Sequence, residues 1–276
     1  MKSFKEQCVA LRKKDKTLNE IVKITGRSKT SVWFHIRNIS LSPQKRQEIS
    51  RRTRQQALRV AASRKGKALR SYKPFKNWTP ELVLLISHLM FDGEILKRKC
   101  VYHNRSHALT GRVERLMCEV YDFSPIISID KVSGVRRVRY YNVALSHYLH
   151  NKAVELQRDI VGFSWDKQRE FIRAFFDDEG CMDYRPRSNV RRVRGYQNDQ
   201  TILRTIQSLL AKRDITSKLE NGNEIVIIGK GNLKNFQSEI NFSEGVYINP
   251  NRSNSRWKQE IEKRELLNMA IASFKI

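Results

Sequence analysis

Two stretches of this chain repeat one another, and the repeat limits the fold more than any other feature. Trp78 begins WTPELVLLISHLMFDG and Trp165 begins WDKQREFIRAFFDDEG. In each, the tryptophan precedes a residue able to cap a helix, Thr79 or Asp166, and a helical apolar spacing then runs to an acid and a glycine, Asp92-Gly93 or Glu179-Gly180. Both acids stand 14 residues beyond their tryptophan, and the copies lie 87 residues apart. Downstream, Tyr102-x-Asn104 is matched with Tyr196-x-Asn198, the second copy being 7 residues longer between acid and tyrosine. Helices spaced by Leu109 and Leu116, then by Leu203 and Leu210, follow. A duplicated supersecondary unit buries its apolar faces against its twin.

Each copy reads as helix, strand, strand, helix, strand, strand, helix. In the second, RRVRGYQ and NEIVIIG are strands, while QTILRTIQSLLAKRD and KGNLKNFQSEI are helices; in the first, PIISID and VRRVRYY are strands and ALSHYLH is helical. The expected class is α+β, a duplicated αββαββα domain over residues 77–276, split near 163/164.

Ahead of the repeat, TLNEIVKITGRSKTSVWFHIRNISLS predicts two short amphipathic helices about a turn at Gly26, with Leu18, Ile21, Val22 and Ile24, then Val32, Ile36 and Ile39, as their apolar set. Ser28 caps the second helix. With Val32 and Ile36 inward, Thr30, Trp33 and Arg37 share the outer face, and Lys29 lies near a phosphate if that face enters a DNA major groove. This all-α helix-turn-helix module, residues 1–41, resembles the small modules that open many bacterial and archaeal DNA-binding proteins. Any αα-hairpin could show the same pattern. Residues 42–76 follow as a basic helix or linker capped at Ser42-Pro43, in which Arg51, Arg52 and Arg54 are placed to track phosphates.

Charge supports a polyanionic partner. Lys and Arg number 54 against 28 acids, net +26, and residues 1–75 alone carry +17. Charge does not distinguish DNA from RNA. Cys8, Cys100, Cys118 and Cys181 form no CxxC pair, so neither zinc nor disulfides are expected and buried thiols are the default. The chain starts without an apolar leader, and its longest apolar run, near Leu82–Phe91, is too short to span a bilayer. An intracellular protein, cytoplasmic and nucleoid-associated, without a membrane partner is expected.

ISHLMFDGEI and FIRAFFDDEGCM resemble the two signature helices of the LAGLIDADG homing endonucleases. The resemblance covers residues 77 to 250 and implies a pseudo-twofold monomer whose signature helices pack side by side at its centre and aim Asp92 and Glu179 into one active site. It implies Mg2+ or Mn2+ as cofactor and double-stranded DNA as substrate, cut by metal-assisted hydrolysis. Singly, each acid is a solvated helix-end carboxylate. A carboxylate at the negative end of a helix dipole is unfavourable without a cation, and two at equivalent points favour a metal. Gly93 and Gly180 would end the helices and leave room for metal or DNA. By position, Gln197 and His103 resemble the polar residues that hold the family's active-site water, and Lys152 or Arg252 could supply its basic residue. Arg137, Arg139, Arg192 and Arg194 lie on strands that would face DNA. Phe91 and Asp178 stand where close helix crossing prefers small residues, beside Ser87 and Ala174, so a looser crossing is expected. Two rivals keep the fold: a DNA-binding transcription regulator without catalysis, and an intron RNA maturase.

Overall fold

A computed structural model describes residues 3–64, 70–251 and 256–274. The chain forms two compact units that divide between Leu69 and Arg70.

In the first unit, α1 (Phe4–Lys13), α2 (Leu18–Thr25) and α3 (Lys29–Ile36) enclose a small core of Cys8, Ile21, Val32 and Ile36. Capping boxes open α1 at Ser3/Glu6 and α2 at Thr17/Glu20, each satisfying two backbone donors that a helix start leaves free. Gly26 ends α2 at φ +66°, and Ser28 accepts a hydrogen bond from Ser31 N to start α3. The helix-turn-helix layout is therefore present, with α1 as a third helix that the sequence reading did not include. Ile24 departs from expectation: it is 51% exposed, while Ile21 is buried and Leu18 and Val22 pack against the core. α4 (Pro43–Arg64) is one continuous helix, its Ser42 Oγ accepting from Lys45 N.

In the second unit, α5 (Pro80–Phe91), β1 (Gly93–Leu96), β2 (Lys99–Asn104), α6 (His107–Met117), β3 (Ile126–Ile129), β4 (Arg136–Tyr140) and α7 (Val143–Asp159) make the first copy. α8 (Trp165–Asp178), β5 (Gly180–Arg185), β6 (Val190–Tyr196), α9 (Gln200–Ala211), β7 (Ser217–Glu220), β8 (Glu224–Ile228) and α10 (Lys230–Glu239) make the second. Each copy folds one antiparallel sheet, in the order β1-β2-β4-β3 or β5-β6-β8-β7. The repeated order is the duplication seen in the sequence. Tyr72 and Phe75, from the segment read as linker, pack on this unit against Tyr148.

α5 and α8 lie against one another at the centre, in the most extensive helix contact among the described residues. α5 buries Leu82, Val83, Leu85, Ile86 and Leu89, nearly all its faces, as a helix enclosed by protein must. Thr79 caps it as expected, whereas α8 is preceded by Ser164 and Asp166 lies in its first turn. An additional helix, α11 (Lys263–Ala272), buries Leu266, Leu267 and Ala270 against β5, β6 and α10. Cys8 and Cys100 are buried thiols, but Cys118 and Cys181 are exposed, contrary to the default for reduced cysteines. No helix among the described residues is long and apolar enough to cross a membrane.

Candidate active site

Asp92 and Glu179 are the residues that end α5 and α8. Their carbonyls accept equivalent hydrogen bonds, from His103 N (3.3 Å) and Tyr196 N (3.1 Å), which turn each helix directly into its sheet. A Cβ at Gly93 would fall 2.5 Å from Leu89 O, and one at Gly180 2.5 Å from Phe176 O. The glycines are thus demanded by the chain folding back over its own last helical turn. That steric reason holds for both glycines whatever lies beyond them.

The same pairing corrects the alignment of the copies. Gly93 opposes Tyr102 and Gly180 opposes Gly195, so the partner of Tyr102 is Gly195, and the partners of His103 and Asn104 are Tyr196 and Gln197. Asn104 Oδ1 accepts from Ser106 N, and Gln197 Oε1 accepts from Asp199 N, each at the turn into the next helix. The Tyr-x-Asn match was one residue out of step. A tyrosine cannot occupy position 195, where even a Cβ would lie 2.3 Å from Phe175 Cε1.

A buried polar chain joins the two central helices. His88 Nδ1 lies 2.8 Å from Asp178 Oδ2, Tyr102 OH donates to Asp178 Oδ1 at 2.6 Å, and Asn104 Nδ2 donates to Asp92 Oδ2 at 2.6 Å. Asn104 Nδ2 also stands 3.5 Å from Tyr102 OH, closing the path from α8 to Asp92. The 87-residue offset makes His88 equivalent to Phe175, and Phe91 to Asp178. The crossing is therefore made twice, once as His88 on Asp178 and once as Phe91 on Phe175, with ring centroids 5.4 Å apart. Phe91 and Asp178 do not loosen the crossing; they are its contacts, flanking the buried Ser87 and Ala174.

These neighbours set the charge of the site. Burial, then the charges of Asp178 and Glu179, push the Asp92 carboxyl up to about 8; Lys263 and the Asn104 hydrogen bond pull the other way. Burial and Asp178 raise Glu179 to about 7, again opposed by Lys263. Lys263, on α11, is fully buried and donates to Phe176 O (3.2 Å) and Asp177 O (2.6 Å), the carbonyls that end α8. Asp177 is held by Arg112 and Ser243 N and serves to tie α6 to the second copy.

Among the described residues no group of three or more His, Cys, Asp or Glu side chains is placed to hold a metal ion. The donors are two crowded carboxylates, and that of Glu179 has no hydrogen bond or ion pair among the described residues. Such a set fits a hard divalent cation, which relieves carboxylate crowding and completes its shell with phosphate and water oxygens.

The remaining candidates divide. His103, on β2, donates its backbone N–H to the Asp92 carbonyl, whereas Gln197 follows the end of β6, donates its own to Asn223 O, and spends its amide oxygen on Asn198 N and Asp199 N. Lys152 is far from this role: its ammonium pairs with Glu155 and sits over Phe75 and Trp78. Arg252 lies outside the described residues. Arg137 and Arg139 occupy the outer face of β4; Arg192 and Arg194, on β6, are paired with acids. In the first unit Lys29, Thr30, Trp33 and Arg37 are exposed on α3 or its end, with the Arg37 guanidinium over Trp33 and Phe34. Arg51, Arg52 and Arg54 are exposed on α4. Missed from sequence were His88, Asp178, Tyr102, Asn104 and Lys263. His88 carried a local signal as a polar residue inside the apolar run LLISHLMF; Tyr102 and Asn104 stood out as a repeat match and Asp178 as a large residue at the crossing, but none of the three as part of a site.

Several solved structures are similar to this chain. They include variants of the homing endonuclease I-DmoI (17% identity over 58% of this chain and 95% of that one, TM-score 0.46) and I-DmoI in complex with DNA and Mn (19%, 58% and 96%, 0.45). The N-terminal LAGLIDADG domain of DUF199/WhiA is another (16%, 62% and 88%, 0.45). No curated protein matches the chain. A family model described as a LAGLIDADG-like domain matches residues 166–241. The matched residues run from the first turn of α8 to just past α10 and include the whole second sheet and Glu179.

Proposed function

We propose that this protein is a sequence-specific double-stranded DNA endonuclease in which Asp92 and Glu179 hold divalent metal. What supports the reading is that two acids each end one of two paired helices, with Glu179's charge among those that raise the Asp92 carboxyl. Uncompensated, that arrangement is costly. When bound, a divalent cation supplies a polarised phosphoryl oxygen and an acidified water. The chain's own part is positional. Asn104 fixes the Asp92 carboxylate, Asp178 on α8 braces Asn104 through the Tyr102 hydroxyl, and the helix crossing sets the spacing of the acids. In the first unit, α3 presents Thr30, Trp33 and Arg37 to a major groove, while α4 supplies phosphate contacts through Arg51, Arg52 and Arg54.

The test separates cutting from binding. A binding site is selected from a randomised duplex library in calcium, and cleavage of it is then followed in magnesium. Asp92→Asn and Glu179→Gln should each abolish cleavage, while affinity at low metal holds, or rises above about pH 8, where a carboxylate ionised with no cation beside it repels phosphate. Parental cutting rates in both variants would reduce the acids to helix-end carboxylates. A parent that binds its site but never cuts would make the protein a DNA-binding regulator, and tighter binding to structured RNA than to duplex would make it an RNA-binding protein.

A further inference from the structure

The outer faces of the two sheets carry arginines in opposite states. On the first sheet, Arg139 donates to the neutral Ser128 Oγ at 2.7 Å, and Arg137 stands 3.8 Å from Asp130. On the second, Asp183 sits amid three guanidiniums. It accepts from Arg185 through Nε (2.7 Å) and NH2 (3.2 Å), and from Arg192 Nε at 3.0 Å, with Arg194 NH1 at 3.5 Å. Arg194 Nε also donates to Glu224, and Arg192 NH1 lies 3.8 Å from Glu220. Strand alternation places all of these on one face: Asp183 opposes Arg192, Cys181 opposes Arg194, and Met182, Tyr184 and Val193 between them point into the core. The Asp183 and Glu224 side chains are only 10% and 7% exposed, beneath their arginines. Burial alone would raise the Asp183 carboxyl, but the hydrogen bonds from Arg185 and Arg192 outweigh it and keep the group ionised.

Acids here work against the rest of the chain. A protein of net +26 that bound duplex by charge alone would gain from bare arginines, whereas Asp183, Glu220 and Glu224 nearly cancel Arg185, Arg192, Arg194 and Lys218 on this face. What the acids add is geometry. An arginine carries five N–H donors in a planar fork, so a carboxylate that grips one edge fixes the direction of the others. A fixed fork is what bidentate recognition of guanine O6 and N7 requires, and neutralising its charge lowers its attraction for every phosphate alike.

We propose that Asp183 is a specificity-determining residue that organises Arg185, Arg192 and Arg194 into a guanine-reading comb on the second sheet, while the less paired Arg137 and Arg139 of the first sheet contact phosphate. The inference rests on the DNA-binding part of the proposed function and is independent of cleavage. It is tested on the full chain in calcium, with the selected duplex and a scrambled duplex of equal composition. Asp183→Asn should bind the scrambled duplex more tightly and with a steeper salt dependence, because more arginine charge reaches phosphate. Its preference for the selected duplex should fall roughly ten-fold or more, the loss expected for a disordered bidentate contact. Should Asp183→Asn fold poorly, as its melting would reveal, Arg192→Lys keeps the charge but not the fork, and should lose preference with an unchanged salt slope. Unaltered preference in the folded variants overturns the role of Asp183 and leaves DNA binding intact. A parent with no duplex preference overturns both.

Discussion

Raising the pH of the metal-free protein from 5 to 8 should destabilise its second unit, and Asp92→Asn should remove one proton's share of that loss. The folded Asp92 carboxyl titrates at about 8, for reasons of burial and the charges of Asp178 and Glu179. An unfolded aspartate titrates near ~3.9. Between these values the folded state holds a proton that the unfolded state lacks, so unfolding releases it and stability falls as pH rises. The slope is about 1.4 kcal/mol per pH unit per proton. Across a window of roughly four units the ceiling for Asp92 is about 6 kcal/mol. Glu179, at about 7 and more open to water, adds in the same direction but less, because solvent screens it. Subtracting the variant's curve from the parent's cancels the other titrations. Urea unfolding in EDTA, followed by the fluorescence of Trp78, Trp165 and Trp257, should give a difference slope approaching one proton between pH 5 and 7. Millimolar calcium should flatten the parent's curve above pH 7 if the acids hold metal. Parallel curves for parent and variant would refute the placing of Asp92 in a buried, crowded site.

Three further outcomes are expected. Gly195→Ala places a Cβ 2.3 Å from Phe175 Cε1, and thermal melting should register a loss of about 1–3 kcal/mol, part of it restored by Phe175→Leu in the double variant. Lys263→Met leaves the buried carbonyls of Phe176 and Asp177 without their donor, costing about 1–3 kcal/mol in denaturant unfolding at pH 7; an unchanged midpoint would show that the ammonium is not needed there. Removing residues 1–69 takes away the first unit whole, and duplex affinity measured from 50 to 200 mM salt should weaken and show a shallower slope; an identical slope would assign that unit a partner other than DNA.

The elements of both copies were legible because duplication doubles the signal: the helices ending at Asp92 and Glu179 each confirm the other's bounds, and the strands follow in the same order. What lay between them was not. Tyr102 and Tyr196 coincide by letter, but equivalence is set by cross-strand pairing, and the steric demand of Phe175 on Gly195 comes from another element altogether. Asp178 looked like an oversized residue at a helix contact, since nothing local shows that His88, 90 residues earlier, waits opposite it. Lys263 was invisible for the same reason. It belongs to a helix beyond both copies, and only the tertiary fold brings its ammonium beneath the end of α8. In the first unit the pattern of Val32 and Ile36 was enough to orient α3, while α1, contributing the single buried Cys8, offered little periodicity to read.

The twofold crossing at the centre makes the halves complementary rather than interchangeable. Were two first halves to associate by the same geometry, each His88 would meet Phe91; two second halves would bury each Asp178 against Phe175, with no donor in reach. A carboxylate enclosed with an aromatic ring and no hydrogen-bond partner is expensive, so like-with-like assembly is disfavoured at both contacts, and only unlike halves satisfy His88 and Asp178 together. Ancestral duplication has in this sense become an obligate marriage: severed in the loop before α8 and expressed as two polypeptides, the halves should find each other and leave their own kind alone.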